Sequence, residues 1–464
     1  MLKTIIIKEL QNHLYSLRFI FALALTLFLF SISSISFVID FREQKHTHEA
    51  GLAKIQENMK NVTDNASRLA QNMNVYPFAP RNSSFIASCE EEAMPNTIVY
   101  TAFNVYGFDV AKGSKNPFIL PSKSVNWEFI IMILFSFLAI IFTFDALSGE
   151  KEMRTLALAL SNPVSRGVLL TGKFLGSVIV LSLLVFVGVF LSMIILLLSG
   201  QVAITSFTLL EIGGFLFMSF LMIACAATIG LFTSVISFNP NTSLFIGLMI
   251  WLIFMFVIPH TALLLSNRLF PVESSDVIAA NTQNAINAIE ASYPDGKWSS
   301  SSNMPFMPKH KIRANMQMDF MLSEKKIKDN WYDSQFSQFQ NTCKLSLVSP
   351  MFVFQMGDEY ILNGGFQRFK KNWNDLNTYQ SQFFDWFKSF DANDEKSPHW
   401  FNPYEDYSTS KLKVNIDEIP VLTERTVTFT NRLVDGGLYI ALLLIYTAIV
   451  FFVSFVLLIR YDVR

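Results

Sequence analysis

Apolar residues along this chain come in long unbroken blocks, not in the short periods of soluble helices and strands. Six blocks reach or approach the length of about 20 residues that a bilayer-crossing helix requires. They cover residues 19–39, 127–146, 168–199, 207–236, 244–265 and 436–459. Arg18 and Asp40 bracket the first, Trp127 and Asp145 lie at the two ends of the second, and Arg460 closes the sixth. Gly200-Gln201 parts the third from the fourth. Phe238-Asn239-Pro240-Asn241 parts the fourth from the fifth, because Pro lacks a backbone donor and Asn tolerates turn geometry. The first block is too long and too late for a signal-peptide core, and no small-residue cleavage pattern follows it. The pattern predicts a polytopic α-helical membrane protein with about six transmembrane helices.

Six crossings leave both termini on one side, and the basic residues say which. Lys3, Lys8 and Arg18 precede the first block, Lys151, Arg154, Arg166 and Lys173 surround the link from the second to the third, and Arg460 and Arg464 follow the sixth. All fall on the side of the termini, which is therefore expected to be cytoplasmic. Residues 40–126 and 266–435 then face outward, as two mainly helical (α or α+β) extracytoplasmic domains. Within them, residues 42–72, 276–292 and 309–343 read as helices and residues 97–110 as strand-like. Trp373, Tyr379, Phe383, Phe384, Trp386 and Phe387 recur at spacings that fit one helix face. That face is a domain core or dimer contact, or else a groove for an apolar ligand or partner.

Composition supports lipid as the solvent. Charged residues make up 16% of the chain, against about 25% in soluble domains. No Asp, Glu, Lys or Arg lies between Phe174 and Leu210, or between Glu211 and Arg268. The net charge of −1 offers nothing to a polyanion, so nucleic acid is not an expected partner. Cys89, Cys225 and Cys343 are too few and too scattered for a metal cluster or a disulfide framework. A pairing of Cys89 with Cys343 across the two outer domains stays open.

Searches for chemistry return little. Gly167 to Lys173 matches most of a phosphate-binding loop, but Phe174 stands where a magnesium-holding Ser or Thr is needed, and the segment opens an apolar helix rather than following a buried strand. Gly167, Gly172 and Gly176 read better as close-packing positions, with Lys173 as an interfacial anchor. No catalytic constellation or metal-binding spacing occurs, and His46 and His48 read as a surface pair. No enzymatic activity and no cofactor are expected of this chain alone. Ionisable groups in spans are functional candidates by default, which singles out Glu211 near the outer end of the fourth block and His260 at the outer end of the fifth, as a gate or substrate path.

The link at residues 147–167 differs from the rest. Ser148-Gly149-Glu150-Lys151-Glu152 leads to Thr155-Leu156, then to Asn162-Pro163-Val164-Ser165-Arg166 and Gly172-Lys173-Phe174-Leu175-Gly176. Charges just after a span, then Leu156, Leu158 and Leu160, describe a short amphipathic helix at the membrane surface. In order, spacing and place this segment resembles the signature of ABC transporter permeases of the type-2 exporter class. Residues 1–18, with Ile5, Ile6, Ile7, Leu10, Leu14 and Leu17 among Lys3, Lys8, Glu9 and Arg18, resemble the amphipathic elbow helix of such permeases. The large outer segments resemble a subgroup with two ectodomains, loosely associated with multicopper-enzyme maturation.

The resemblance implies a bacterial inner-membrane permease working as a dimer, with a second copy or a related permease, on two separate ATPase subunits that bind ATP and magnesium. Residues 147–167 would be the coupling helix loop. Glu150, Lys151, Glu152, Arg154, Thr155, Leu156, Leu160, Asn162, Pro163 and Arg166 would face the ATPase, the charges at its groove and the leucines in it. Export of a lipid-like, peptide-like or cofactor-like substrate is the leading expectation. Alternatives are a mechanotransmitter acting on a periplasmic partner without transport, and a membrane-anchored enzyme or sensor.

Overall fold

The structure is a computed structural model that describes residues 1–87, 97–107, 125–161, 164–294 and 308–461. A helix stands at each of the six apolar blocks, each long and apolar enough to cross a membrane. In chain order the elements begin with α1 (Leu2–Leu14), α2 (Leu17–Val62) and α3 (Ala66–Gln71), followed by β1 (Asn74–Pro77), β2 (Thr97–Tyr100) and β3 (Val105–Gly107). Then come α4 (Trp127–Glu152), α5 (Thr155–Ser161), α6 (Arg166–Ser199), α7 (Ser206–Ile236) and α8 (Pro240–Leu269). The chain closes with α9 (Ser275–Ser292), α10 (Pro308–Ser346), α11 (Pro350–Leu362), α12 (Gly365–Ala392) and α13 (Phe429–Arg460). We call the end of the bundle that carries both termini the near face, and the opposite end the far face.

Local chemistry sets the helix ends. Ser16 caps α2, Ser165 caps α6 and Thr428 caps α13, each accepting from a backbone amide in the first turn. Thr205 and Thr208 cap α7 reciprocally. Gly200 ends α6 at φ +64, a left-handed position that glycine adopts without strain. Asn239 caps α8 with Pro240 at its first position, which explains the turn read from that tetrapeptide.

Helix α7 is the spine of the bundle and the most enclosed of the six spans. Its small residues let neighbours approach closely. A Cβ added at Gly230 would fall 3.0 Å from the Ile140 Cα of α4 and overlap the Thr143 hydroxyl. Such small-residue contacts are how helices gain packing where lipid supplies no hydrophobic drive. Two of the spans contain a wide π turn, α4 at Ile130–Phe135 and α8 at Ile253–Val257. Trp251 joins these two helices by donating to Ser136 Oγ at 2.8 Å.

The far side differs from two separate domains. Residues from both polar segments share one core: Leu69, Phe78, Tyr100 and Phe103 from the first, with Phe336, Phe366, Phe383 and Phe387 from the second. Tyr100 meets Tyr379 edge-on at 5.5 Å, and Phe103 meets Phe387 at 5.7 Å. The three-stranded antiparallel sheet β1-β2-β3 thus packs on α12. The aromatic face of α12 is consumed as core, with Phe383 and Phe387 fully buried. Among the described residues, the two segments thus bury apolar side chains in one shared core.

Two further differences concern the boundaries of the outer segments. Helix α2 does not stop where its apolar block ends but runs on unbroken for 46 residues, about 69 Å. No proline interrupts residues 40–62, and Arg42, Glu43, Gln44, Lys45, Glu49, Lys54, Gln56, Glu57 and Lys60 are good helix formers. Helix α11, expected in the outer domain, is instead built into the bundle. Met351, Phe354 and Ile361 pack in the same core as Trp127, Phe215 and Met218 of the spans. A Cβ at Gly357 would stand 3.2 Å from Tyr439 Cβ of α13 and overlap the Met218 side chain of α7. At 13 residues, about 20 Å, α11 is too short to span and enters from the far face as a wedge.

Two outcomes follow from this packing. Phe383→Ala should cost the far-side module about 3–5 kcal/mol. Hydrogen exchange should then show protection lost together in residues 64–77 and 365–392, whereas two independent domains would respond separately. Asp358 of α11 is fully buried, beside Glu128, and neither of its carboxylate oxygens has a hydrogen-bond partner among the described residues. Asp358→Asn should therefore stabilise the fold by about 1–2 kcal/mol, read as a rise in the thermal midpoint.

Candidate functional site

The near face is built around a lysine that the sequence reading took for an interfacial anchor. Lys173 lies at the start of the third turn of α6 and is only 5% exposed. Its ammonium sits 3.0 Å from Glu9 Oε1 of α1 and 2.8 Å from Glu150 Oε1 at the end of α4. Three elements distant in sequence are thus held by one cation. Glycine makes the approach feasible. A Cβ at Gly172 would come 2.6 Å from Ile5 Cγ2, and one at Gly176 2.7 Å from Glu9 Cβ. Those glycines are close-packing positions, and what packs on them is the amphipathic α1.

Around this triad lie further polar ties. Arg18 pairs with Asp145 at 2.8 Å and stacks over the Phe144 ring at 4.9 Å. His13 shares a 3.1 Å hydrogen bond with Ser177 Oγ. Lys151 caps the end of α7, donating to the carbonyls of Val235 and, at 3.1 Å, Ser237. Arg166 does the same for α13, donating to the Leu458 and Ile459 carbonyls at 2.7 Å and to Tyr461 at 2.8 Å. Cations at helix C-termini satisfy orphan carbonyls and meet the negative end of the helix dipole. The ends of α1, α4, α6, α7 and α13 are therefore tied around the loop between α4 and α6.

Within that loop, the residues divide by direction. Leu156 is 2% exposed and packs with Leu147, Leu169, Leu170, Leu231 and Leu458. Leu160 lies against the same cluster. The two leucines expected in an ATPase groove therefore face their own bundle, because the loop carries an apolar stripe on its inner side. Glu150 is likewise taken up by Lys173. Glu152, Met153, Arg154, Thr155, Ala157 and Leu158 are exposed, Met153 at 68% and Leu158 at 70%. Arg154 turns the chain between α4 and α5 at φ 58, a left-handed conformation that costs a non-glycine residue about 1–2 kcal/mol. Asn162 and Pro163 lie outside the described residues, as do Cys89 and Phe108–Val110.

On the far face, Glu211 does not reach water. Its Oε1 accepts from Arg432 Nη1 at 2.7 Å, with both side chains buried where α7 meets α13. Arg432 also lies over the Phe207 ring at 4.7 Å. His260 is elsewhere: it is exposed on α8, its Nδ1 2.8 Å from the Phe256 carbonyl oxygen of the same helix. The structure thus does not bring the two together. The sequence reading missed Arg432 because the sixth span was started four residues later. It missed the roles of Glu9 and Lys173 because pairs 164 residues apart leave no local pattern. The available signal was a lysine between two glycines inside an apolar helix.

Six candidate crossings, an exposed short loop braced by ion pairs on one face and a large module on the other define a multi-pass helical membrane protein. The profile of the ABC-2 family transporter proteins matches residues 3–463, and the chain belongs to that family. It is an ABC transporter permease, a class of transmembrane subunit. Over 69 residues it is 36% identical to the probable ABC transporter permease protein NosY of Pseudomonas aeruginosa, and 35% identical to that of Stutzerimonas stutzeri. These matches cover 15% of this chain and 25% of each relative, so the aligned stretch spans a quarter of those relatives' length.

Two measurements address the triad. Lys173→Ala leaves two enclosed carboxylates without their cation and should cost about 3–5 kcal/mol of stability. The triple variant Glu9→Gln, Glu150→Gln, Lys173→Met should recover most of that loss in a thermal melt. Burial holds the His13 imidazole below its usual value, opposed by Glu9 and Asp145 and aided by Lys173 and Arg18. The folded chain then binds fewer protons than the unfolded one, so stability falls as pH drops below about 6.5. Between pH 7.5 and 5.5 His13→Gln should show a smaller drop in thermal midpoint than the unaltered chain.

Proposed function

We propose that this chain is the permease of an ATP-driven exporter in a bacterial inner membrane, with the near face cytoplasmic and docked on ATPase subunits. The orientation rests on the nine basic residues at or near the near-face ends of the spans. The single observation that carries the coupling is the division of the loop at residues 147–161. Its inner side is fused to the bundle through Leu156, Lys151 and the Glu150–Lys173 pair, while Glu152 to Thr155 and Ala157 to Leu158 face out.

Such a part transmits force. An ATPase that closes on ATP moves as a rigid body, and a lever welded to several helix ends shifts them together. Met153 and Leu158 supply apolar anchors, and Glu152 and Arg154 set the register by charge. The chain carries the lever, and ATP with its magnesium binds the partner subunits. Two permease copies would give the symmetric platform that two ATPases require.

Met153→Asp with Leu158→Asp should reduce co-purification of the co-expressed ATPase by about tenfold or more, since each buried anchor is worth about 1.5–3 kcal/mol. The thermal midpoint of the permease should hardly change. Leu156→Asp should instead lower that midpoint, because it breaks the permease's own core. Undiminished ATPase recovery with the double variant would remove this face from the coupling.

A further inference from the structure

On the far face, a cavity of about 480 Å³ opens beside the Glu211–Arg432 pair, between the spans and the outer module. Five of the side chains that line it are cations: Arg81, Arg368, Lys371, Arg425 and Arg432. Glu211 and Glu424 are the carboxylates of the lining. Asp375 stands behind, pairing with Arg425 and at 3.9 Å with Lys371, so cations still outnumber acids five to three. Backbone carbonyls hold three of the guanidinium groups in place, Arg432 donating to Val427 O at 3.2 Å. Arg81 donates to Leu362 O at 3.0 Å and to Ala87 O, and Arg368 donates to Ala79 O.

Backbone adds to the side chains. Thr205, Phe207 and Thr208 bring the start of α7 to the wall, Thr426 to Thr428 bring the start of α13, and Asn363 and Arg368 bring the start of α12. The N-termini of α7 and α13, each with a partial positive charge, therefore converge on one cavity, whereas at the start of α12 Glu359 Oε1 already accepts from the Gln367 amide and Asn363 caps the C-terminus of α11. Burial holds the Lys371 ammonium below its usual value, with Asp375 and Glu424 opposing this and Arg368 and Arg425 adding to it. Excess positive charge in a partly dry pocket is costly until an anion enters.

We propose that this cavity binds a phosphate-bearing anion, and that the source is the headgroup of an anionic membrane lipid. Its location argues for lipid: Phe207, Thr208 and Glu211 at the start of α7 and Arg432 at the start of α13 form one wall, so the cavity lies where two spans meet the outer module. Apolar Phe207 and Val427 complete the lining, which suits a ligand that is charged at one end only. The site stands apart from the ATPase coupling, and its test uses no ATPase.

The purified full-length chain is equilibrated with equal amounts of phosphatidylglycerol and phosphatidylcholine, and retained lipids are counted by native mass spectrometry. Phosphatidylglycerol should be retained preferentially. Lys371→Gln with Arg425→Gln should weaken that preference about tenfold, and Glu424→Gln, which removes an acid from the wall, should strengthen it. Lys60→Gln with Lys413→Gln, outside the cavity, should leave it unchanged. If the lysine–arginine variant fails to fold, Glu424→Gln alone still decides. Displacement of the lipid by millimolar glycerol 3-phosphate would support a phosphate site whose source is soluble. Equal retention of the two lipids by the unaltered chain, or a preference untouched by both Lys371→Gln/Arg425→Gln and Glu424→Gln, would overturn the proposal.

Discussion

One buried cation organises the near face. Lys173 holds Glu9 and Glu150 against α6, adding a buried charge triad to the apolar and polar contacts that dock α1 and the end of α4. Desolvating an ammonium and two carboxylates is expensive, so the arrangement persists only because all three are present and the glycines beneath them admit α1 at backbone distance. Lys151 and Arg166 extend the same logic to the ends of α7 and α13. The exposed loop inherits its rigidity from these ties. Moving the loop off the bundle would uncover the buried charges of the triad.

Much of the fold could be read from the chain because lipid is a demanding solvent. Runs of about 20 apolar residues have few other uses, and the turn residues Gly200 and Asn239-Pro240 mark ends by plain stereochemistry. What could not be read were meetings between distant residues. A run such as residues 350–362 looks like any amphipathic helix of a soluble domain, and only the partners at Met218 and Tyr439 put it inside the bundle. Likewise the aromatic spacing of α12 specified a buried face but not that β2 would be its cover. In the loop, the alternation of charge and leucine was legible, whereas the direction each side chain took depended on Leu231 and Leu458.

The same reasoning separates the two acidic residues that stood out in the apolar blocks or at the far-side boundary. Glu211 is paired with Arg432, and the pair forms part of the wall of a charged cavity. Asp358 has no such compensation among the described residues. A chain that keeps an uncompensated carboxyl in its core has either a use for it or a cost that the surrounding packing absorbs. Gly357, its neighbour, lets α11 lie against both α7 and α13, so any movement between those two spans reaches that carboxyl directly.

The length of α2 also has a mechanical meaning. It is one uninterrupted rod of about 69 Å, with its base near the Arg18–Asp145 pair and its tip in the far-side core through Met59. A rod converts rotation into displacement in proportion to its length. A tilt of about five degrees at the base carries the tip about 6 Å, more than one helical turn's rise, without any bond in the rod changing. The displacement of the tip would exceed that of the base through the geometry of the rod alone.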